Sequence, residues 1–156
     1  MKIRDKHKIA VIGLGYVGLP LLVALSEKMQ VLGYDKNNKR IKELQNSVDR
    51  TGEIDNAKLL SLPANIFLDS TDALVDANIF IITVPTPITE SKQPDLSALK
   101  NACSLVGNIM KRDSIVIFES TVYPGATEEF CVPILEQFSG QKLNDYFFVG
   151  YSPERI

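Results

Sequence analysis

The chain has 156 residues, 45% of them hydrophobic and 23% charged, and a formal net charge of −2 at pH 7. That is the composition of one globular domain, long enough to bury roughly 70% of the surface its unfolded chain exposes, and the interspersed charges leave no basic footprint for nucleic acid. No apolar run nears the ~20 residues of a membrane span, and Met1 to Lys8 lacks the apolar stretch of a signal peptide, so a cytoplasmic protein with no membrane partner is expected.

Lys8 to Ile12 is apolar and of strand length, and it runs into Gly13-Leu14-Gly15-Tyr16-Val17-Gly18, three glycines at G-x-G-x-x-G spacing. An apolar helical segment follows to about Met29. In a dinucleotide-binding turn each glycine has its own task. Gly13 makes the tight turn, Gly15 lets the backbone approach a pyrophosphate, and Gly18 lets the helix pack against the strand. The helix N-terminus then offers unpaired N–H groups and a partial positive charge to the phosphates. Glycine triplets also occur in ordinary turns. The second strand-like run, Gln30 to Tyr34, ends in Asp35, near the spacing of a carboxylate that binds a ribose hydroxyl, and this favours the dinucleotide reading.

Ile41, Leu44 and Val48 mark a second helix. Arg40 on its first turns falls near the adenosine end of a cofactor, or is a solvated surface arginine; position alone does not separate the two. Lys36 and Arg40 suit a 2′-phosphate, but Asp35 repels one, so NAD is expected over NADP. Asp49 to Pro63 reads as a polar surface loop or short helix. Asn65 to Leu68 is a short strand candidate, Ser70-Thr71-Asp72 a helix start, and Ala77 to Val84 a buried parallel strand. Val84-Pro85-Thr86-Pro87 stops that strand. The loop either borders the cofactor at the carboxyl end of the sheet or is a plain rigid turn.

Asp95 caps a helix whose Leu96, Leu99, Cys103, Val106 and Met110 share one face, which makes Cys103 a core residue. Ser114 to Phe118 is another strand, followed by Glu119-Ser120-Thr121 and the turn at Pro124-Gly125. Thr127 is the candidate cap of the next helix, where Cys131 is structural and Pro133 bends or delays the helix. Tyr146 to Gly150 reads as a sixth strand, and Ser152-Pro153-Glu154-Arg155-Ile156 leaves its end. The two cysteines show no C-x-x-C spacing and His7 is the only histidine, so no metal site is expected. Strands alternating with helical connections predict an α/β doubly wound parallel sheet of order 3-2-1-4-5-6.

With these motifs in this order, the chain resembles the N-terminal part of the UDP-glucose/GDP-mannose dehydrogenase family, the nucleotide-sugar 6-dehydrogenases. The likeness rests on Gly13 to Pro20, Asp35 with Arg40, Val84-Pro85-Thr86-Pro87, Glu119-Ser120-Thr121-Val122 with Pro124-Gly125, and Ser152-Pro153-Glu154-Arg155. It implies one NAD-binding Rossmann domain over 1–156 and a double oxidation of a UDP-sugar at C6, from alcohol through a cysteine-bound thioester to carboxylate, with two NAD+ reduced. It further implies that Tyr16, Val17, Asp35, Arg40, Thr86 and Thr121 contact the cofactor, with Val84, Pro85 and Ser120 bordering it.

Thr121 also resembles the residue that helps hold the attacking water, and Glu154 the general base for thioester hydrolysis. Arg155, followed by Ile156, resembles the substrate-gripping sequence of members acting on UDP-N-acetylhexosamines, most of all the glucosamine and galactosamine forms used for surface polysaccharide. The family's nucleophilic cysteine, dimerising helix and UDP-binding domain fall beyond Ile156. The resemblance therefore implies a homodimer or higher homo-oligomer for the full-length enzyme, and a piece that binds NAD without turnover. UDP-glucose or UDP-N-acetylmannosamine dehydrogenases, and a non-catalytic NAD(H)-binding regulatory module, are the alternatives.

Overall fold

Every strand of the sheet runs parallel to its neighbours, in the order β3-β2-β1-β4-β5-β6. The structure is a computed structural model that describes residues 7–152. Its strands are β1 (Lys8–Ile12), β2 (Gln30–Tyr34), β3 (Phe67–Leu68), β4 (Ile79–Ile82), β5 (Ser114–Phe118) and β6 (Phe147–Tyr151). The helices are α1 (Gly18–Ser26), α2 (Asn38–Gln45), α3 (Asn56–Leu60), α4 (Ser97–Ile109) and α5 (Val132–Ser139). The expected strand order and fold class are both present.

The alternation of side chains along a strand explains why the central runs are apolar throughout. On one face Ala10, Ile12, Phe80, Ile82, Val116 and Phe118 pack with Leu99, Cys103 and Val106 of α4 and with Ile134 and Leu135 of α5. On the other, Ile9, Val11, Val31 and Ile81 pack with Leu19, Leu22 and Val23 of α1 and with Ile41 and Leu44 of α2. Residues one apart thus serve different cores. Phe80 is fully buried, and burying a side chain of that size contributes about 1.5–3 kcal/mol.

Several boundaries differ from the sequence reading. The strand expected over Ala77 to Val84 is only Ile79–Ile82; the Thr83 N–H still reaches the Ile12 carbonyl, but Pro85 has no N–H to carry the ladder on. The candidate strand Asn65 to Leu68 divides into a 3-10 turn (Ala64–Ile66) and the two residues of β3. The start at Ser70-Thr71-Asp72 leads into a 3-10 turn (Asp72–Asp76). Val48 lies outside α2 and is exposed, since the chain reverses at Ser47 with φ 59°. Asp95 accepts the Ser97 N–H but sits one residue before Leu96, the cap position of α4.

Thr127 makes no capping hydrogen bond. It is buried in a π-helical turn (Thr127–Cys131) that precedes α5. Pro133 supplies the reason: it has no N–H for the carbonyl four residues back, so regular α-helix begins only with the proline in its first turn. Cys103 and Cys131 are both buried free thiols, as expected of core residues. Among the described residues no helix is long and apolar enough to cross a membrane, and no cluster of His, Cys, Asp or Glu suits a metal ion.

Candidate cofactor site

The carboxyl ends of β1, β4 and β5 carry three loops that meet in one crevice. β1 delivers Gly13 to Val17, β4 delivers Thr83 to Thr86, and β5 delivers Glu119 to Thr121. Hydroxyl groups tie the loops together. Thr83 Oγ1 donates to the Gly13 carbonyl at 2.7 Å, Ser120 Oγ to the Val84 carbonyl at 2.6 Å, and Thr86 Oγ1 to the Thr121 carbonyl at 2.5 Å. Small hydroxyl residues suit these positions because they satisfy strand-end carbonyls without filling the crevice.

Two adjoining clefts open on these loops, with Val84 and Pro85 lining both. One, of about 160 Å3, is walled by Ile12, Gly13, Tyr34, Asp35, Lys36 and residues of α4 such as Ala98 and Ala102. The other, of about 390 Å3, is walled by Gly15, Tyr16, Val17, Thr86, Ser120 and Thr121. Of the sequence-predicted residues, Gly13, Gly15, Tyr16, Val17, Asp35, Val84, Pro85, Thr86, Ser120 and Thr121 line these two clefts, which share Val84 and Pro85, while Gly18 and Arg40 line neither. Tyr16 is 65% exposed at the rim of the larger cleft. Glu154, Arg155 and Ile156, expected as the general base and the substrate-binding residues, lie outside the described residues.

The three glycines are not equivalent. Gly13 has φ +100°, a left-handed conformation, and an added Cβ would lie 3.2 Å from the Thr83 and Val84 backbone. At Gly18 a Cβ would lie 1.9 Å from the Gly13 carbonyl oxygen and 2.5 Å from Thr83 Oγ1, so α1 seats on the turn only without a side chain there. A Cβ at Gly15 meets nothing within 4 Å. The protein's own packing thus does not require glycine at Gly15, and the space beside its backbone is open. α1 begins at Gly18, after Val17, with no side-chain cap and no acid in its first turn, leaving its positive end open to an anion. An NAD pyrophosphate at the turn and an adenosine in the smaller cleft fit this set of residues.

Asp35 holds the turn as well as facing the smaller cleft. Its Oδ2 accepts the Leu14 N–H at 2.9 Å and its Oδ1 the Asn37 N–H at 2.8 Å. Burial and the Asp35 carboxylate push the Tyr34 phenol above its ordinary pKa. Asn37 then caps α2, accepting from the Lys39 and Arg40 amides.

Arg40 is neither solvated nor a wall of either cleft. It is 4% exposed, its Nε donates to the Leu14 carbonyl at 2.8 Å, and its Nη1 lies 2.7 Å from Asp49 Oδ1. Leu14 is consequently gripped on both sides, its N–H by Asp35 and its C=O by Arg40. Asp49, expected on a polar surface stretch, has a side chain 0% exposed. Burial raises its pKa, but the Thr51 hydroxyl and amide, the Arg40 guanidinium and the Ile54 amide outweigh that and hold the carboxyl at about 2. Sequence reasoning missed Asp49 because an isolated acid in a polar run carries no periodic signal. Asp49 with Thr51 two residues on, a pattern for a carboxylate that collects backbone N–H groups, was the available hint.

Residues 7–156 match the family model described as the UDP-glucose/GDP-mannose dehydrogenase family, NAD binding domain. A UDP-N-acetyl-D-glucosamine 6-dehydrogenase from Pseudomonas aeruginosa is 54% identical over 149 residues, covering 96% of this chain and 35% of that protein. Protein CapL from Staphylococcus aureus is 52% identical over 151 residues, again 96% of this chain and 35% of the relative. The solved structure of a UDP-D-ManNAc dehydrogenase from Pyrococcus horikoshii superposes with a TM-score of 0.86 at 38% identity, covering 96% of this chain and 36% of that one. The chain thus spans about a third of the length of the relatives it matches.

Proposed function

Because the chain belongs to the UDP-glucose/GDP-mannose dehydrogenase family, as its NAD-binding domain, we propose that it is the cofactor-holding part of a UDP-N-acetylhexosamine 6-dehydrogenase. The observation that carries the sugar class is the identity of 54% and 52% to two enzymes named UDP-N-acetyl-D-glucosamine 6-dehydrogenase. The mannosamine-named relatives stand lower, at 38% for the one from Pyrococcus horikoshii. When bound, NAD+ serves as the hydride acceptor for oxidation at the sugar C6.

In this reading the chain's own residues bind and orient. Asp35 accepts the adenosine ribose hydroxyls, and the backbone at Gly13, Gly15, Tyr16, Val17 and Gly18 approaches the pyrophosphate, with Arg40 steadying the turn from behind. Val84, Pro85, Thr86, Ser120 and Thr121 wall the larger cleft, where the nicotinamide end lies. Thr121 orients the water that cleaves a thioester and Glu154 takes its proton, while Arg155 and Ile156 engage the UDP-sugar; these roles rest on the likeness of Glu119-Ser120-Thr121-Val122 and of Ser152-Pro153-Glu154-Arg155-Ile156 to the family's motifs. The full-length protein acts in the cytoplasm as a homodimer or larger homo-oligomer and supplies an acidic sugar for surface polysaccharide.

The test is NADH formation by the full-length protein with UDP-N-acetylglucosamine, its galacto and manno epimers, and UDP-glucose. The expected outcome is two NADH per sugar, with the highest kcat/KM on the gluco or galacto N-acetyl substrate. Preference for UDP-glucose or for the manno epimer overturns the sugar assignment. Failure of all four overturns the enzymatic reading.

A further inference from the structure

A buried ion pair lies behind the glycine turn. Arg40 is more than nine-tenths buried, its Nη1 is paired with Asp49 Oδ1 at 2.7 Å, and its Nη2 is buried without a hydrogen-bond partner among the described residues. The guanidinium is held there by that ion pair and by the bond from Nε to the Leu14 carbonyl. Asp49 is far better fixed. Its Oδ1 accepts the Thr51 N–H and hydroxyl at 3.0 and 2.7 Å, and its Oδ2 the Glu53 and Ile54 N–H groups, both at 3.0 Å. The carboxylate is a preorganised anchor, and the arginine is the partner with donors to spare.

The position of this pair bears on which cofactor binds. Arg40 and Asp35 hold the two peptide groups that flank Leu14, Asp35 the N–H before its Cα and Arg40 the carbonyl after it, so the guanidinium and the carboxylate assigned to the ribose grip the same residue of the turn. A free arginine at that place is the residue type that takes a ribose 2′-phosphate, through charge-assisted bonds that a neutral hydroxyl cannot match. Lys36, unlike Arg40, does line the smaller cleft and places one cation there. Repulsion by Asp35 is then one half of the discrimination, and withholding of Arg40 is the other.

We infer that Asp49 is a positioning residue that sets cofactor specificity: by pairing with Arg40 behind the turn, it keeps the guanidinium on the Leu14 carbonyl and away from the ribose 2′ position. The inference rests on NAD binding by the chain and goes beyond it, because Asp49 touches no cleft and lies 14 residues past Asp35, in a stretch without a nucleotide-binding motif. Neutralising Asp49 removes the buried cation's counter-ion, and a 2′-phosphate on the bound cofactor would supply another.

The experiment is calorimetric titration of the parent chain, Asp49→Asn, Arg40→Gln and the double variant with NAD+ and with NADP+. The parent titration with NAD+ tests the reading beneath the inference and is scored separately. Asparagine keeps an oxygen for the Thr51 groups and removes the charge. Asp49→Asn is expected to lower the ratio Kd(NADP+)/Kd(NAD+) by about tenfold, the worth of one charge-assisted contact, and the double variant to restore the parent ratio. A purely structural role for Asp49 weakens both cofactors together and leaves the ratio unchanged, and that result overturns the inference. If Asp49→Asn does not fold, Arg40→Gln decides: a ratio within about twofold of the parent supports a withheld arginine. A rise beyond that means Arg40 already reads the phosphate, and overturns it.

Discussion

Gly15→Ala and Gly18→Ala separate the two uses of glycine in the turn. At Gly18 the new methyl carbon would sit 1.9 Å from the Gly13 carbonyl oxygen, where contacts under 3.0 Å do not occur and the opposing atom is backbone. Relief requires α1 to lift off the turn, and the Leu19, Leu22 and Val23 contacts of that helix lift with it. Overpacking of that severity costs about 3 kcal/mol, which in a domain of this size lowers Tm by roughly 6–12 °C. At Gly15 the methyl meets nothing within 4 Å and φ lies outside the left-handed region, so stability should hold or rise by up to about 1 kcal/mol. The methyl occupies the space where a pyrophosphate approaches, and NAD+ affinity should fall by about tenfold or more. Thermal unfolding read by circular dichroism, with NAD+ titration on the same samples, checks both. A Gly18→Ala chain with the parent Tm, or a Gly15→Ala chain with the parent Kd, refutes the division of labour.

The Asp49 carboxyl titrates at about 2 rather than 3.8, a difference worth about 2 kcal/mol. The folded pKa is the depressed one, so this stability is complete above pH ~4 and disappears as pH falls toward about 2. Urea midpoints of the parent and Asp49→Asn chains should accordingly converge between pH 4 and 2; a gap that stays constant contradicts the assignment. Cys103, hydrogen-bonded to the Cys131 sulfur and buried, has its thiol pKa pushed up, so native-state alkylation should run at least about a hundredfold slower than in urea. Labelling at a comparable rate in both states would show that the α4/α5 packing opens readily. Asp35→Ala removes the Leu14 N–H acceptor as well as the ribose carboxylate, and NAD+ affinity should drop by tenfold or more, by about 1.4 kcal/mol at least, in the same titration. An unchanged Kd would remove Asp35 from the site.

Period and punctuation made most of this fold legible. The runs at Lys8–Ile12, Gln30–Tyr34 and Ser114–Phe118 are strands at the bounds that their apolar pattern indicates. The α4 stripe of Leu99, Cys103 and Val106 is buried as its spacing requires. What escaped was set by single long-range contacts. Thr83 lies just past β4 with its N–H still on the Ile12 carbonyl, and its hydroxyl bonds the Gly13 carbonyl at the end of the neighbouring strand. Thr127 looks like a helix cap, yet the absence of an N–H at Pro133 displaces regular helix beyond it. Arg40 had two open readings, cofactor contact or solvated surface, and its burial against Asp49 could not be seen without the fold of residues 46–54. The glycine turn was readable because its requirements are local; the clamp behind it joins residues far apart in sequence.

Titration of the purified chain with NAD+ and with NADP+, followed by calorimetry, bears most directly on the site assembled at the ends of β1, β4 and β5. Saturable one-to-one binding of NAD+, at least about tenfold tighter than NADP+, is the expected result. Absence of binding by either cofactor, or tighter binding of NADP+, contradicts it.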